Sequence, residues 1–107
     1  MGKSIITEFE DISAFSGRPR EAYHHVIFGS GLRKLANEDR LILPLTHSEH
    51  NMGTSTECIH GNPAAEKLSK MVGQLAWEKE YYRSRTVPDG SDPAREAFRK
   101  RYSQSWL

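Results

Sequence analysis

Cysteine is almost missing from this chain of 107 residues: Cys58 stands alone, so no internal disulfide can form and a reducing compartment is expected. Net charge is missing too. Fifteen Lys and Arg against fourteen Asp and Glu leave +1 with histidine neutral, which predicts no strong uniform field, so any nucleic-acid contact must come from a local basic face. No stretch approaches the roughly 20 apolar residues of a membrane span. Met1-Gly2-Lys3-Ser4 leads into no signal-peptide core, and the expectation is a cytoplasmic protein. Gly2 with the serine behind it matches a myristoylation start only at the level of chance. There is no internal repeat and no low-complexity tract. What remains, 36% hydrophobic and 27% charged residues, is the composition of one ordinary globular domain with a modest core.

The chain order predicts an α+β fold. Residues 1–19 read as a weakly ordered N-terminal arm whose aromatics, Phe9 and Phe15, dock on the core, with Ser16-Gly17-Arg18-Pro19 as a turn. Residues 20–107 form the single domain. The β-branched and aromatic content of Ala22 to Phe28 predicts a strand ended by Gly29-Ser30-Gly31. Leu32 to Asn37 predicts a short helix with Leu32, Leu35 and Ala36 inward and Arg33 and Lys34 exposed. Arg40 to Leu45 reads as a second strand, with Pro44 placing it at an edge or at its end. Asn62-Pro63 is an N-cap followed by proline at the first helical position, and Ala65, Leu68, Val72, Leu75 and Ala76 then recur at helical spacing to about Tyr82. Gly73 costs that helix roughly 1 kcal/mol unless close packing requires it. Thr86 to Gly90 is a loop. Asp92-Pro93 repeats the cap-and-proline signature and opens a last helix to about Tyr102, with Ala94, Phe98 and Tyr102 on one face. Trp106 and Leu107 are expected to plug the end.

All five histidines lie between residues 23 and 62: His24, His25, His47, His50 and His60. Imidazole is the commonest metal ligand and titrates nearest neutral pH. A strand carrying His-His, a hairpin, a second strand and then histidine at the start of a helical or loop segment is the order a ββα-metal nuclease needs. There one imidazole activates water while others hold a divalent cation against the scissile phosphate. His25 is the candidate general base; His24, His50 and His60 are the candidate metal ligands, for Mg, Mn or Zn. Arg33 and Lys34 are candidates for contact with DNA phosphate. Adjacent residues of a regular strand point to opposite faces, so His24 and His25 serve one site only if the strand bends or one of them ends it.

The run His24-His25-x-x-x-Gly29-x-x-x-Arg33-Lys34, the later Leu45-x-x-x-x-His50-Asn51, His60-x-Asn62 and the ending Phe98 to Leu107 resemble small phage and prophage proteins of the His-Asn-His (HNH) endonuclease type. The resemblance runs from Ser13 onward. It implies a ββα-metal core, a β-hairpin packed on a long helix with a C-terminal helix, divalent-metal-dependent cleavage of DNA, and a phage recombination or packaging context with other phage proteins as partners. Where many such proteins carry two Cys-x-x-Cys pairs, this chain has Ser13, Ser16, Thr46 and Glu49. No four-cysteine zinc site is therefore expected, although Glu49 could ligate a harder ion. Without that staple, Phe15, Phe28, Ile42, Leu45 and the long helix are expected to hold the core. The residue that orients the base stays open among Asn37, Asp39, Asn51 and Asn62.

Other readings stand beside these. The chain could be a catalytically degenerate HNH-like module that binds DNA or a phage protein without cutting, or a structural metal-binding module. His47 reads as an ordinary surface residue, Arg99-Lys100-Arg101 as a solvated face, and Trp77, Tyr81 and Tyr82 as core or a homodimer seam. Cys58 reads as an inert thiol.

Overall fold

The computed structural model describes residues 3–52, 59–83, 85 and 92–107, with Asn51 and Met52 described by backbone alone. Gly2, Cys58 and the Thr86–Gly90 loop lie outside the described residues. The chain is a small α+β protein. Strands β1 (Ala22–His25) and β2 (Ile42–Leu45) pair antiparallel, with His24 opposite Leu43 and His25 opposite Ile42. Helix α1 (Leu32–Glu38) runs between them, a single π-turn over Ser48–Met52 follows them, and α2 (Pro63–Tyr82) and α3 (Pro93–Tyr102) complete the order. Among the described residues, no helix is long and apolar enough to cross a membrane.

β1 stops three residues earlier than the composition of Ala22 to Phe28 suggests. Val26 and Ile27 are consecutive and both fully buried, and consecutive residues of a strand cannot both face one side. The Val26 N–H still donates to the Leu41 carbonyl at 3.1 Å, and the chain then turns off the sheet into the core. Gly31, at φ 79, supplies the left-handed residue from which α1 starts.

The two long helices begin at their sequence signals. Asn62 Oδ1 accepts from the Ala65 amide at 3.2 Å ahead of Pro63, and Asp92 Oδ1 accepts from the Arg95 amide at 3.3 Å ahead of Pro93. α3 buries Ala94, Phe98 and Tyr102, the face its spacing predicts. α2 does not follow its apolar stripe. Its buried residues are Ser69, Gly73, Gln74 and Glu78, while Leu68 and Leu75 are 60% and 55% exposed. The polar residues turn inward because each meets a partner there. Ser69 reaches the hairpin, Gln74 Nε2 donates to Ser105 and to Glu78 at 2.8 Å each, and Glu78 pairs with Arg95 at 2.8 Å. Gly73 explains its own presence: a Cβ there would lie 2.7 Å from Val26 Cγ2 and 2.8 Å from Ile27 Cγ1.

The core is Val26, Ile27, Ala36, Leu41, Phe98 and Tyr102, all fully buried. Ile42 and Leu45 are also buried, but Phe15 is 58% exposed and Phe28 only half-buried, so neither aromatic holds the centre. Asp39 ties three elements together, accepting from Trp77 Nε1 at 3.0 Å, Arg101 Nε at 2.6 Å and Tyr102 OH at 2.7 Å. The N-terminal arm lies along β2 through Ile5 N–H to Arg40 C=O and Ala14 N–H to Pro44 C=O. Ile5 and Ile6, rather than the arm's aromatics, pack on the core, and Phe9 stays 70% exposed. At the other end Trp106 packs while Leu107 remains 39% exposed.

Ser13, Thr46 and Glu49 meet, although none is a thiol. Ser13 donates to Glu49 Oε1, which also accepts from the Thr46 amide at 2.9 Å. Ser13 Oγ in turn accepts from the amides of Phe15 and Ser16. Burial pushes the Glu49 carboxyl up, but the hydrogen bonds from Ser13, Thr46 and Ser16 outweigh it and hold the group below the usual carboxylate range. A hydrogen-bonded knot thus joins the arm to the hairpin's end.

Candidate metal centre

The hairpin brings His24 inward. Its ring is fully buried, with Nε2 2.8 Å from Ser69 Oγ of α2. Backbone pairing brings the other two: His60 N–H donates to His50 C=O at 3.1 Å, and Ile59 N–H donates to Glu49 C=O at 2.9 Å. The π-turn carries His50. Ring centroids stand 5.1 Å apart for His24–His50 and His24–His60, and 4.8 Å for His50–His60. One ring nitrogen of each lies within 4.8 Å of the others. Nitrogens around a tetrahedral zinc sit roughly 3.3 Å apart at bond lengths of 2.0–2.1 Å, so the rings close on an ion by drawing in about 1 Å. The His24, His50 and His60 cluster could hold a metal ion.

Among the described residues, His24 Nδ1 is the buried side-chain polar atom with no hydrogen-bond partner. Such an atom costs about 1–3 kcal/mol when left unmade. Burial, then the nearby His50 and His60, push the His24 imidazole down to about 3, so it stays neutral at any working pH. The same causes, burial first and then His60 and His25, lower His50. Neutral imidazole is the form that ligates metal. His60 Nδ1 lies 3.6 Å from Glu66 Oε2.

No family model, no curated protein and no solved structure matches this chain.

His25 ends β1, which answers the strand-parity objection: its ring does not share His24's buried face but lies half-exposed on the rim. His25, Arg33, His50 and His60 line a cavity of about 310 Å³ with Tyr23 and Phe28. His25 Nε2 lies 3.1 Å from Asn37 Oδ1 and so donates to it, while Arg33 Nε–H points at Nδ1 from 3.5 Å. Of the four open orienting residues, Asn37 is the one joined to His25. Asp39 serves the core, Asn62 caps α2, and the Asn51 side chain lies outside the described residues. Arg33 and Lys34 are exposed and line an adjoining recess with His25 and Asn37. His47 is exposed and is not one of the trio; its amide donates to Glu21 at 3.0 Å. Arg101 is drawn to Glu38 and Asp39, and Arg99 to Glu96, so the two arginines of this basic run are engaged in ion pairs.

Three contributors were missed in the sequence. Ser69 and Gly73 are four apart, the small-residue spacing of a helix face approached closely by backbone. That pattern was the available signal for Ser69. Lys70 Nζ lies 4.7 Å over the Phe28 ring and the Arg20 guanidinium 4.3 Å over Tyr23, placing cations on two residues that line the cavity. A chain of net charge +1 thus carries a local basic rim of Arg20, Arg33, Lys34 and Lys70.

Proposed function

We propose that this protein is a ββα-metal, HNH-like endonuclease that hydrolyses DNA phosphodiesters with a bound divalent metal. The observation that carries the reading is the trio of imidazoles with one nitrogen of each within 4.8 Å of the others, His24 among them buried with an unpartnered Nδ1, beside a cavity rimmed by a fourth imidazole and an arginine. Three protein ligands suit a catalytic rather than a closed structural site, because a tetrahedral ion keeps one position open. An all-nitrogen donor set favours Zn, and after it Mn, over Mg, which prefers oxygen ligands. Such an ion supplies charge stabilisation at the phosphate and at the leaving oxygen.

The residues around it divide the remaining work. His25, with Asn37 holding its Nε2 proton, keeps Nδ1 as the atom that accepts a proton from the attacking water. Arg33 stands next to that nitrogen and offers a forked contact to the phosphate, with Lys34 one residue further along α1. The phage-type sequence resemblance agrees with duplex DNA as substrate.

The test is nicking of supercoiled plasmid by metal-free protein reloaded with Zn²⁺, Mn²⁺ or Mg²⁺. His25→Ala is expected to lower nicking by about 10²–10⁴-fold while leaving zinc affinity and the circular dichroism spectrum unchanged. Unaltered nicking removes His25 from the mechanism. DNA binding in EDTA without cleavage in any metal selects the degenerate binding module instead.

A further inference from the structure

We propose that Ser69 of α2 is the positioning residue of the metal centre: it holds the Nε2 proton of His24 and so makes Nδ1 the ligating atom. The inference rests on the metal reading above but not on DNA cleavage. Ser69 Oγ lies 2.7 Å from the Val26 carbonyl oxygen and 2.8 Å from His24 Nε2. A carbonyl oxygen can only accept, so the single hydroxyl proton goes to Val26. The Ser69 oxygen then presents a lone pair to His24, and Nε2 must be the donor. A neutral imidazole has one ring proton; with that proton on Nε2, the lone pair is on Nδ1. That atom is the buried, unpartnered one, on a ring whose neighbours include His50 and His60.

The relay also joins two parts of the fold. Val26 is where the chain leaves β1 for the core, and Gly73, one turn beyond Ser69, is where α2 presses on Val26 and Ile27. Metal-binding geometry is therefore set by how α2 docks on the hairpin, not by the hairpin alone. Partners of this kind typically change metal affinity by 10–100-fold when removed.

The experiment is nitrogen-15 NMR of the histidine rings in full-length protein, metal-free and then titrated with Zn²⁺. In the metal-free protein the His24 proton is expected on Nε2, slow to exchange, and zinc is expected to shift Nδ1 while Nε2 keeps its proton. Ser69→Ala is expected to weaken zinc affinity 10–100-fold in a chelator competition, with Ser69→Thr, which keeps the hydroxyl, recovering most of it. A His24 proton on Nδ1, zinc bound through Nε2, or unchanged affinity in Ser69→Ala overturns the proposal. If Ser69→Ala does not fold, the ring assignment in the unaltered protein decides. Failure of the unaltered protein to bind zinc overturns both this inference and the metal reading. Zinc binding with the Ser69 effect, but no cleavage of DNA, upholds this inference and removes only the nuclease.

Discussion

A buried histidine held neutral leaves a mark on stability at the level of a single residue. His24 titrates at about 3 when folded and, unfolded, at the ordinary 6.5. Between those values the unfolded chain binds the extra proton, so stability rises with pH there. The contribution is fully present above about pH 6.5 and is lost progressively as pH falls toward 3. At about 1.4 kcal/mol per pKa unit the whole effect is on the order of 5 kcal/mol. Urea unfolding of metal-free protein at pH 7, 5.5 and 4.5 is expected to show stability falling by up to about 1.4 kcal/mol per pH unit. Flat stability over that range would mean that the ring is solvated or protonated in the native state.

Between elements, the contact that matters most to the site is α2 against the hairpin. Gly73→Ala gains about 1 kcal/mol of helix propensity. The new methyl, however, falls 2.7–2.8 Å from Val26 and Ile27 carbons that branch close to the backbone and cannot swing clear. Overpacking costs typically 1–3 kcal/mol, so a net loss of about 1 kcal/mol is expected in denaturant unfolding. Weaker zinc affinity should accompany it, since Ser69 sits on the same helix. α3 offers the opposite experiment. Ser103 ends it at φ 67, in the left-handed region where a side chain is strained, and its amide donates to Arg99 C=O at 2.8 Å. Ser103→Gly keeps that bond and is expected to stabilise the protein by roughly 0.5–1 kcal/mol. A fall in the unfolding midpoint would show that the Ser103 side chain has a role its backbone geometry does not reveal.

For the whole molecule, metal occupancy is a stability term, because an ion that binds only the folded trio shifts the unfolding equilibrium. At a free zinc concentration of 100 times Kd the gain is about 2.7 kcal/mol. For a domain of this size that raises Tm by roughly 10–20 °C. Differential scanning fluorimetry with zinc, then with excess EDTA, checks the rise and its reversal; His50→Ala is expected to remove it. A protein whose Tm ignores zinc, but which still cuts DNA in Mg²⁺, would place the catalytic ion elsewhere.

Much of this architecture was legible before any coordinates, and the rest could not have been. Asn62-Pro63 and Asp92-Pro93 mark helix starts because capping depends on residues within one turn, and the buried face of α3 follows from spacing because its inward residues are all apolar. The residue type and placement of His24, His50 and His60 likewise pointed to a cluster that could hold a metal ion. The finer arrangement was decided elsewhere: the ring proton of His24 is tied to Ser69, 45 residues away, and His25 is joined to Asn37 of α1. α2 turned its polar side inward against its own apolar stripe, since Gln74, Glu78 and Ser69 each found a buried partner that no periodicity encodes. Local signals travel a few residues along the chain, whereas which atoms meet across elements is set only when the elements dock.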